Sequence, residues 1–122
     1  MEDATVCYEA GADAIVVSNH GGRVLDHASS TVDVLEDIAK AFKGKMTILA
    51  DGGVRTGADV FKYLALGADG VLIGRPFVTY SFGGGTEGVE FFVKKVRSEL
   101  ESVMLLAGAA SIKDISTDMI DY

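Results

Sequence analysis

Apolar positions along this chain follow two different rhythms. Three short runs, Ala14-Ile15-Val16-Val17, Met46-Thr47-Ile48-Leu49-Ala50 and Gly70-Val71-Leu72-Ile73-Gly74, are apolar almost throughout and rich in β-branched residues. Such runs suit parallel strands covered on both faces. The segments between them repeat their apolar residues at helical spacing. Glu2 to Ala10 reads as a helix with Ala4, Val6, Cys7, Tyr8 and Ala10 as its apolar set and Gly11 as its stop. Thr31 to Phe42 carries Val32, Leu35, Ile38, Ala39 and Phe42, and Ser30-Thr31-Val32-Asp33 has the spacing of a capping box with Asp in place of the usual Glu. Gly57 to Leu66 carries Ala58, Phe61, Leu64 and Ala65 and is closed by Gly67.

Beyond the third run, Arg75-Pro76 opens a short helical piece that reaches Tyr80, and Phe82-Gly83-Gly84-Gly85 reads as a flexible turn. A long helix from Gly88 to Leu106 then carries Phe91, Phe92, Val96, Leu100, Val103 and Met104. Gly108 ends it, and Ser111 to Ile115 makes one more short turn. Gly11-Ala12-Asp13-Ala14-Ile15-Val16-Val17-Ser18 matches Gly67-Ala68-Asp69-Gly70-Val71-Leu72-Ile73-Gly74 at an offset of 56 residues, so two helix-strand units are built alike. Strand and helix alternate with no hairpin signal, which demands parallel strands joined by right-handed crossovers. The fold class is α/β. Three strands cannot close an eight-stranded barrel, so the chain reads as a small open sheet or as a piece of something larger.

Composition narrows the class. At 122 residues, 48% hydrophobic and 24% charged, the chain has the make-up of one globular domain. Its apolar runs fall far short of a membrane span, and its acidic start lacks the features of a signal peptide, so a cytoplasmic location and no membrane partner are expected. The net charge of −7 argues against nucleic acid, although one or two local cations could still hold a small phosphate. The single Cys7 cannot form an internal disulfide, and its helical setting favours a packing role.

Candidate chemistry collects where the strands end. Ser18-Asn19-His20-Gly21-Gly22-Arg23 places an imidazole and a guanidinium three residues apart beside two glycines, just past the first strand. A base that titrates near neutrality and an anion clamp would share one loop. A polar loop whose His caps a backbone group fits the same residues. Asp51-Gly52-Gly53-Val54-Arg55 and Gly74-Arg75-Pro76 follow the second and third strands, and glycine backbone plus an arginine at the same end of neighbouring strands suits a phosphate. An ordinary strand-to-helix turn with a surface salt bridge remains the alternative. Asp51 has no second carboxylate or His at ligand spacing, so a hydrogen bond to a ligand hydroxyl suits it better than a metal, and no metal site is expected.

Taken together these residues resemble the FMN-dependent α-hydroxy acid oxidases and dehydrogenases, which include glycolate oxidase, lactate oxidase and mandelate dehydrogenase. Ser18 to Arg23 with Leu25-Asp26 is similar to that family's active-site signature. Asp51 to Arg55, Ala65-Leu66-Gly67-Ala68 and Ile73-Gly74-Arg75-Pro76 are similar to its flavin-phosphate region, in the same order. Other phosphate-binding barrels, such as inosine monophosphate dehydrogenase and type 2 isopentenyl diphosphate isomerase, carry elements like the last two; the His-Gly-Gly-Arg loop favours the flavin oxidases. The resemblance implies a C-terminal segment of a TIM barrel, residues 1–122 forming its last three βα units plus a C-terminal helix.

It further implies FMN as cofactor and oxidation of a small L-2-hydroxy acid, of lactate or glycolate type, to the 2-oxo acid. His20 would be the catalytic base and would bind substrate together with Arg23. Ser18, Asp51, Gly52, Gly53, Val54, Arg55, Gly74 and Arg75 would bind the cofactor. Val24 stands where the family usually has Gln, and His27 takes no role. The family's first five strands lie outside the resemblance, so the chain alone is expected to be inactive and to self-associate or to join the remainder of a barrel. A non-catalytic FMN- or phosphate-binding remnant is the alternative.

Overall fold

A computed structural model describes residues 1–121. Helix α1 (Glu2–Glu9) leads into strand β1 (Ala14–Val17) and a single 3-10 turn at His20–Gly22; then follow α2 (Thr31–Phe42), β2 (Thr47–Ala50), α3 (Gly57–Ala65), β3 (Gly70–Val71) and α4 (Arg75–Ala107). Two further 3-10 turns, Ile112–Asp114 and Thr117–Met119, complete the described chain. The strands form one parallel sheet in the order β1-β2-β3, with Ile15 opposite Ile48, Val17 opposite Ala50, and Ala50 opposite Val71.

That register sorts the side chains by face, because successive strand residues point to opposite sides. Ile15, Val17, Ile48, Ala50 and Val71 pack against Leu35, Ile38, Ala39 and Phe42 of α2, Tyr63 of α3 and Leu66 just after it, and this is the main core. The other face is uncovered: Val16 is 50% and Leu72 42% exposed. The apolar runs suit strands covered on both faces, and in a three-stranded piece of a barrel the second of those faces is left open. The third strand is also shorter than its apolar run suggests. Its last ladder bond runs from Leu72 N–H to Ala50 O at 2.9 Å, and β2 ends at Ala50, so nothing remains for residues 73 and 74 to pair with.

Helix α1 departs from its expected face. It buries Ala4 alone, and Val6, Tyr8 and Cys7 are exposed, so the packing role expected of Cys7 is not met. Helix α2 matches its expected bounds without the expected capping box: Ser30 makes no side-chain cap bond, and Thr31 turns its hydroxyl to the loop after β2 instead. The capping boxes that do form are Thr56 with Asp59 at the start of α3 and Ser111 with Asp114.

Phe82-Gly83-Gly84 is helical rather than a turn, and the break falls on Gly85, whose φ of +54° suits glycine. The two halves of α4 fold back on each other there. Phe92 is stacked on Tyr80 with centroids 4.6 Å apart and meets Phe77 edge-on at 4.9 Å. These ring contacts offset the poor helix propensity of the glycines, about 1 kcal/mol each. The second half of α4 also packs on the start of α3 at Gly57, where a Cβ would lie 2.2 Å from Leu100 N and 2.4 Å from Val96 O.

Candidate functional site

Parallel strands deliver all their carboxyl ends to one edge of the sheet, so the three loops that follow them share a single cleft. Its volume is about 350 Å³. Ser18, His20 and Arg23 reach it from β1; Asp51, Gly52, Gly53, Val54 and Arg55 from β2; Gly74 and Arg75 from β3. The structure thus brings together every site residue singled out in the sequence. Leu72 and Val78, which sequence reasoning missed, join Pro76 of the Gly74-Arg75-Pro76 element to give the cleft an apolar side. Leu72 lies in an apolar run and Val78 in a helix, and neither pattern distinguishes a lining residue from a packing one.

The loop after β1 is held by short polar side chains. The Ser18 hydroxyl accepts from His20 N–H at 3.1 Å, and Asn19 Oδ1 accepts from Gly21 N–H at 3.0 Å. The Asn19 amide nitrogen donates to Ser29 O at 3.3 Å, closing the loop. His20, Gly21 and Gly22 are all left-handed, with φ of +55°, +64° and +72°. For a histidine that conformation costs about 1 to 2 kcal/mol, and such strain gathers where a side chain must be aimed. Arg75 Nη2 reaches across to donate to Gly21 O at 3.4 Å, and a Cβ on Gly21 would lie 2.7 Å from that nitrogen. A side chain at position 21 would push the guanidinium from its present place.

The two helix starts facing the cleft differ in what they leave free. At α3 the amides are occupied from within: Arg55 and Thr56 N–H donate to Asp59 Oδ2 at 3.0 and 2.9 Å, and Gly57 N–H donates to Glu99 Oε2 at 2.8 Å. Burial pushes the Asp59 carboxyl up, but those backbone bonds, the Thr56 hydroxyl and Lys62 outweigh it and hold it below its ordinary value. Arg55 can therefore offer a ligand its guanidinium but not its N–H. Helix α4 starts at Gly74 without a side-chain cap, but Pro76 has no N–H and Phe77 N–H donates to Gly74 O at 3.0 Å, so its first turn offers the Arg75 N–H. An uncapped helix start beside the Arg75 guanidinium is a place for an anion. Val54 lines the cleft and is itself buried in the core.

Asp51 supplies the clearest chemical sign. Its Oδ1 is the one buried side-chain polar atom without a hydrogen-bond partner among the described residues. A carboxylate oxygen can only accept, so the missing partner is a hydroxyl or an N–H. Behind Asp51, the Thr31 and Tyr63 hydroxyls bond the backbone of the same loop. Burial pushes the Tyr63 phenol up, the Thr31 bond acts the other way, and the Asp51 and Asp59 charges add to the rise. Tyr63 thus stays a neutral donor at ordinary pH.

Over residues 1–122 the sequence matches the model of the family described as FMN-dependent dehydrogenase. The chain belongs to that family. It is 50% identical, over 94% of its length, to a peroxisomal (S)-2-hydroxyacid oxidase of Arabidopsis thaliana, covering 32% of that protein. It is 49% identical, over 93% of its length, to an L-lactate oxidase of Lactobacillus jensenii, covering 28% of it. Its fold superposes on a putative lactate oxidase of Pediococcus acidilactici with a TM-score of 0.92 at 47% identity, over 99% of this chain and 34% of that one. A mandelate oxidase crystallised with 3,3-difluoro-2-hydroxy-3-phenylpropionic acid gives a TM-score of 0.91 at 42% identity, over 95% of this chain and 35% of that one. The chain spans about a third of the length of these relatives, and its three βα units are a segment of their TIM barrel.

The residues present fit FMN, which joins a phosphate to a flavin ring through a chain of hydroxyls. The orphaned Asp51 Oδ1 can accept from such a hydroxyl, and the uncapped α4 start with Arg75 suits the phosphate.

Proposed function

We propose that this chain provides the phosphate and ribityl half of an FMN site together with the base and carboxylate clamp of an enzyme that oxidises a small L-2-hydroxy acid, of lactate or glycolate type, to the 2-oxo acid. The observation that carries this reading is the unpartnered Asp51 Oδ1, buried in a cleft that also holds His20, Arg23, Arg55 and Arg75. Asp51 accepts from a ribityl hydroxyl; Arg55, Arg75 and the start of α4 hold the phosphate; Ser18 contacts the flavin.

Bound FMN supplies the two-electron acceptor that a hydroxy acid oxidation needs. The protein's own share is binding and proton handling. Arg23 holds the substrate carboxylate through its planar fork, which lysine cannot reproduce. A neutral His20 imidazole takes the proton from the substrate hydroxyl or α-carbon. The left-handed backbone at residues 20–22 and the Ser18 and Asn19 hydrogen bonds fix where that imidazole stands.

The test places residues 1–122 in the matching third of an L-lactate oxidase barrel and compares it with its His20→Ala form. The variant is expected to retain FMN while flavin bleaching by lactate slows by about 10² to 10⁴, the usual share of a general base. Bleaching at the parent rate would overturn the role of His20. A parent chimera that binds FMN but never bleaches would favour a non-catalytic flavin-binding segment.

A further inference from the structure

Two buried hydroxyls lie beneath the loop after β2, outside the cleft itself. Thr31 is the first residue of α2 and Tyr63 sits in α3; they are 3% and 4% exposed. Thr31 Oγ1 donates to Asp51 O at 2.5 Å, and the Tyr63 hydroxyl donates to Gly52 O at 2.6 Å and lies 3.1 Å from Asp51 O. The two hydroxyl oxygens are 2.7 Å apart. A Cβ on Gly52 would fall 2.5 Å from Thr31 Oγ1, so this approach requires glycine, whose φ here is +115°. Asp51 N–H is meanwhile bonded to Val17 O at 3.1 Å.

The planar trans peptide turns this into a statement about the ligand side. A carbonyl and the N–H of the next residue point in opposite directions across the peptide plane, and the chain has no cis bonds among the described residues. With the Asp51 and Gly52 carbonyls drawn down onto two hydroxyls, the Gly52 and Gly53 N–H groups face the opposite side, where both residues line the cleft. Successive amides presented this way form an anion-binding concavity.

We propose that Thr31 and Tyr63 are positioning residues: by holding these two carbonyls they aim the Gly52 and Gly53 amides, and the Asp51 carboxylate beside them, at the hydroxyl and phosphate oxygens of the bound cofactor. This rests on the FMN reading above. The two hydroxyls share two protons among the Asp51 carbonyl, the Gly52 carbonyl and their own 2.7 Å contact, so losing either hydroxyl takes a donor from the cluster and frees a part-buried carbonyl to rotate away, carrying its paired amide with it.

The test titrates FMN into the 122-residue chain by flavin fluorescence, at a temperature where circular dichroism finds each variant folded. Tyr63→Phe and Thr31→Val are each expected to weaken FMN about tenfold, the scale of one buried hydrogen bond. Thr31→Ser, which keeps the hydroxyl, is expected to stay within about twofold of the parent. In parallel, the Gly52 and Gly53 amide NMR signals should shift on adding FMN to the parent and to Thr31→Ser, and much less in the other two. Unchanged affinity in Tyr63→Phe and Thr31→Val, with Arg75→Ala weakened, would overturn this role and leave the FMN site standing. Thr31→Ser as weak as Thr31→Val would assign the effect to packing and overturn it as well. A parent chain that takes up no FMN would remove the site reading and this proposal together. Should Tyr63→Phe fail to fold, the Thr31 pair decides alone.

Discussion

Replacing Gly57 by alanine is expected to loosen the contact that clamps α3 onto α4. The new Cβ would lie 2.2 Å from Leu100 N, 2.4 Å from Val96 O and 2.6 Å from Glu99 Cβ. Two of the three obstacles are backbone atoms, so no rotamer change relieves them. Ordinary contact needs about 3.5 Å, so the two helices would have to part by roughly 1 Å. Such overpacking costs about 1 to 3 kcal/mol. The parting also stretches the 2.8 Å bond from Gly57 N–H to the Glu99 carboxylate, a charge-assisted bond worth roughly 1.5 kcal/mol or more. Against this, alanine gains at most about 1 kcal/mol over glycine in helix propensity, giving a net loss of about 2 kcal/mol. For a chain of this length that lowers the melting temperature by roughly 8 °C. Gly83→Ala is the control of opposite sign: the residue is helical, a Cβ there meets nothing within 4 Å, and a small gain in stability is expected. Melts followed by circular dichroism at matched protein concentration compare the three chains. Gly57→Ala melting at the parent temperature would show that α3 and α4 take the extra methyl without parting.

Acid should act through the same contact. Lys95 and the Gly57 N–H hold the Glu99 carboxyl below its ordinary value of 4.5. A lowered carboxylate contributes stability above its unfolded value, and that share is lost as pH falls from about 4.5 through the folded value. Glu99→Gln should flatten the acid limb of the melting-temperature profile, and an unchanged limb would contradict the assignment. The uncovered sheet face with Val16 and Leu72, and the unpaired outer edges of β1 and β3, should drive self-association of the 122-residue chain. Light scattering that finds a compact monomer would count against this. In the chimeric barrel Arg23→Lys should raise the lactate concentration needed for half-maximal bleaching, because an ammonium cannot hold a carboxylate in two places; steady-state titration checks it.

The three loops of the cleft were legible because each carries its chemistry in consecutive residues straight after an apolar run. His20 with Arg23, Asp51 with Gly52-Gly53, and Gly74 with Arg75 needed only the assumption of parallel strands to be brought to one edge. Thr31 and Tyr63 were not legible, since they lie 32 residues apart and each passes for an ordinary helix residue until the fold sets both under Gly52. The same limit explains Phe82-Gly83-Gly84. Local propensity reads three such residues as a turn, and only the Phe77, Tyr80 and Phe92 contacts reveal a helix that continues to Gly85. The length of β3 was set by where its neighbour stops, which its own residues do not encode.

In the proposed site the cleft at the strand ends takes FMN by its phosphate and ribityl chain. Equilibrium titration of FMN into the 122-residue chain, beside Arg75→Ala, tests it most directly. Saturable quenching of flavin fluorescence is expected at one FMN per chain, with affinity lower by about tenfold or more without the Arg75 guanidinium, as a charge-assisted phosphate contact of roughly 1.5 to 3 kcal/mol requires. Quenching that never saturates, or equal affinity in the two chains, would contradict it.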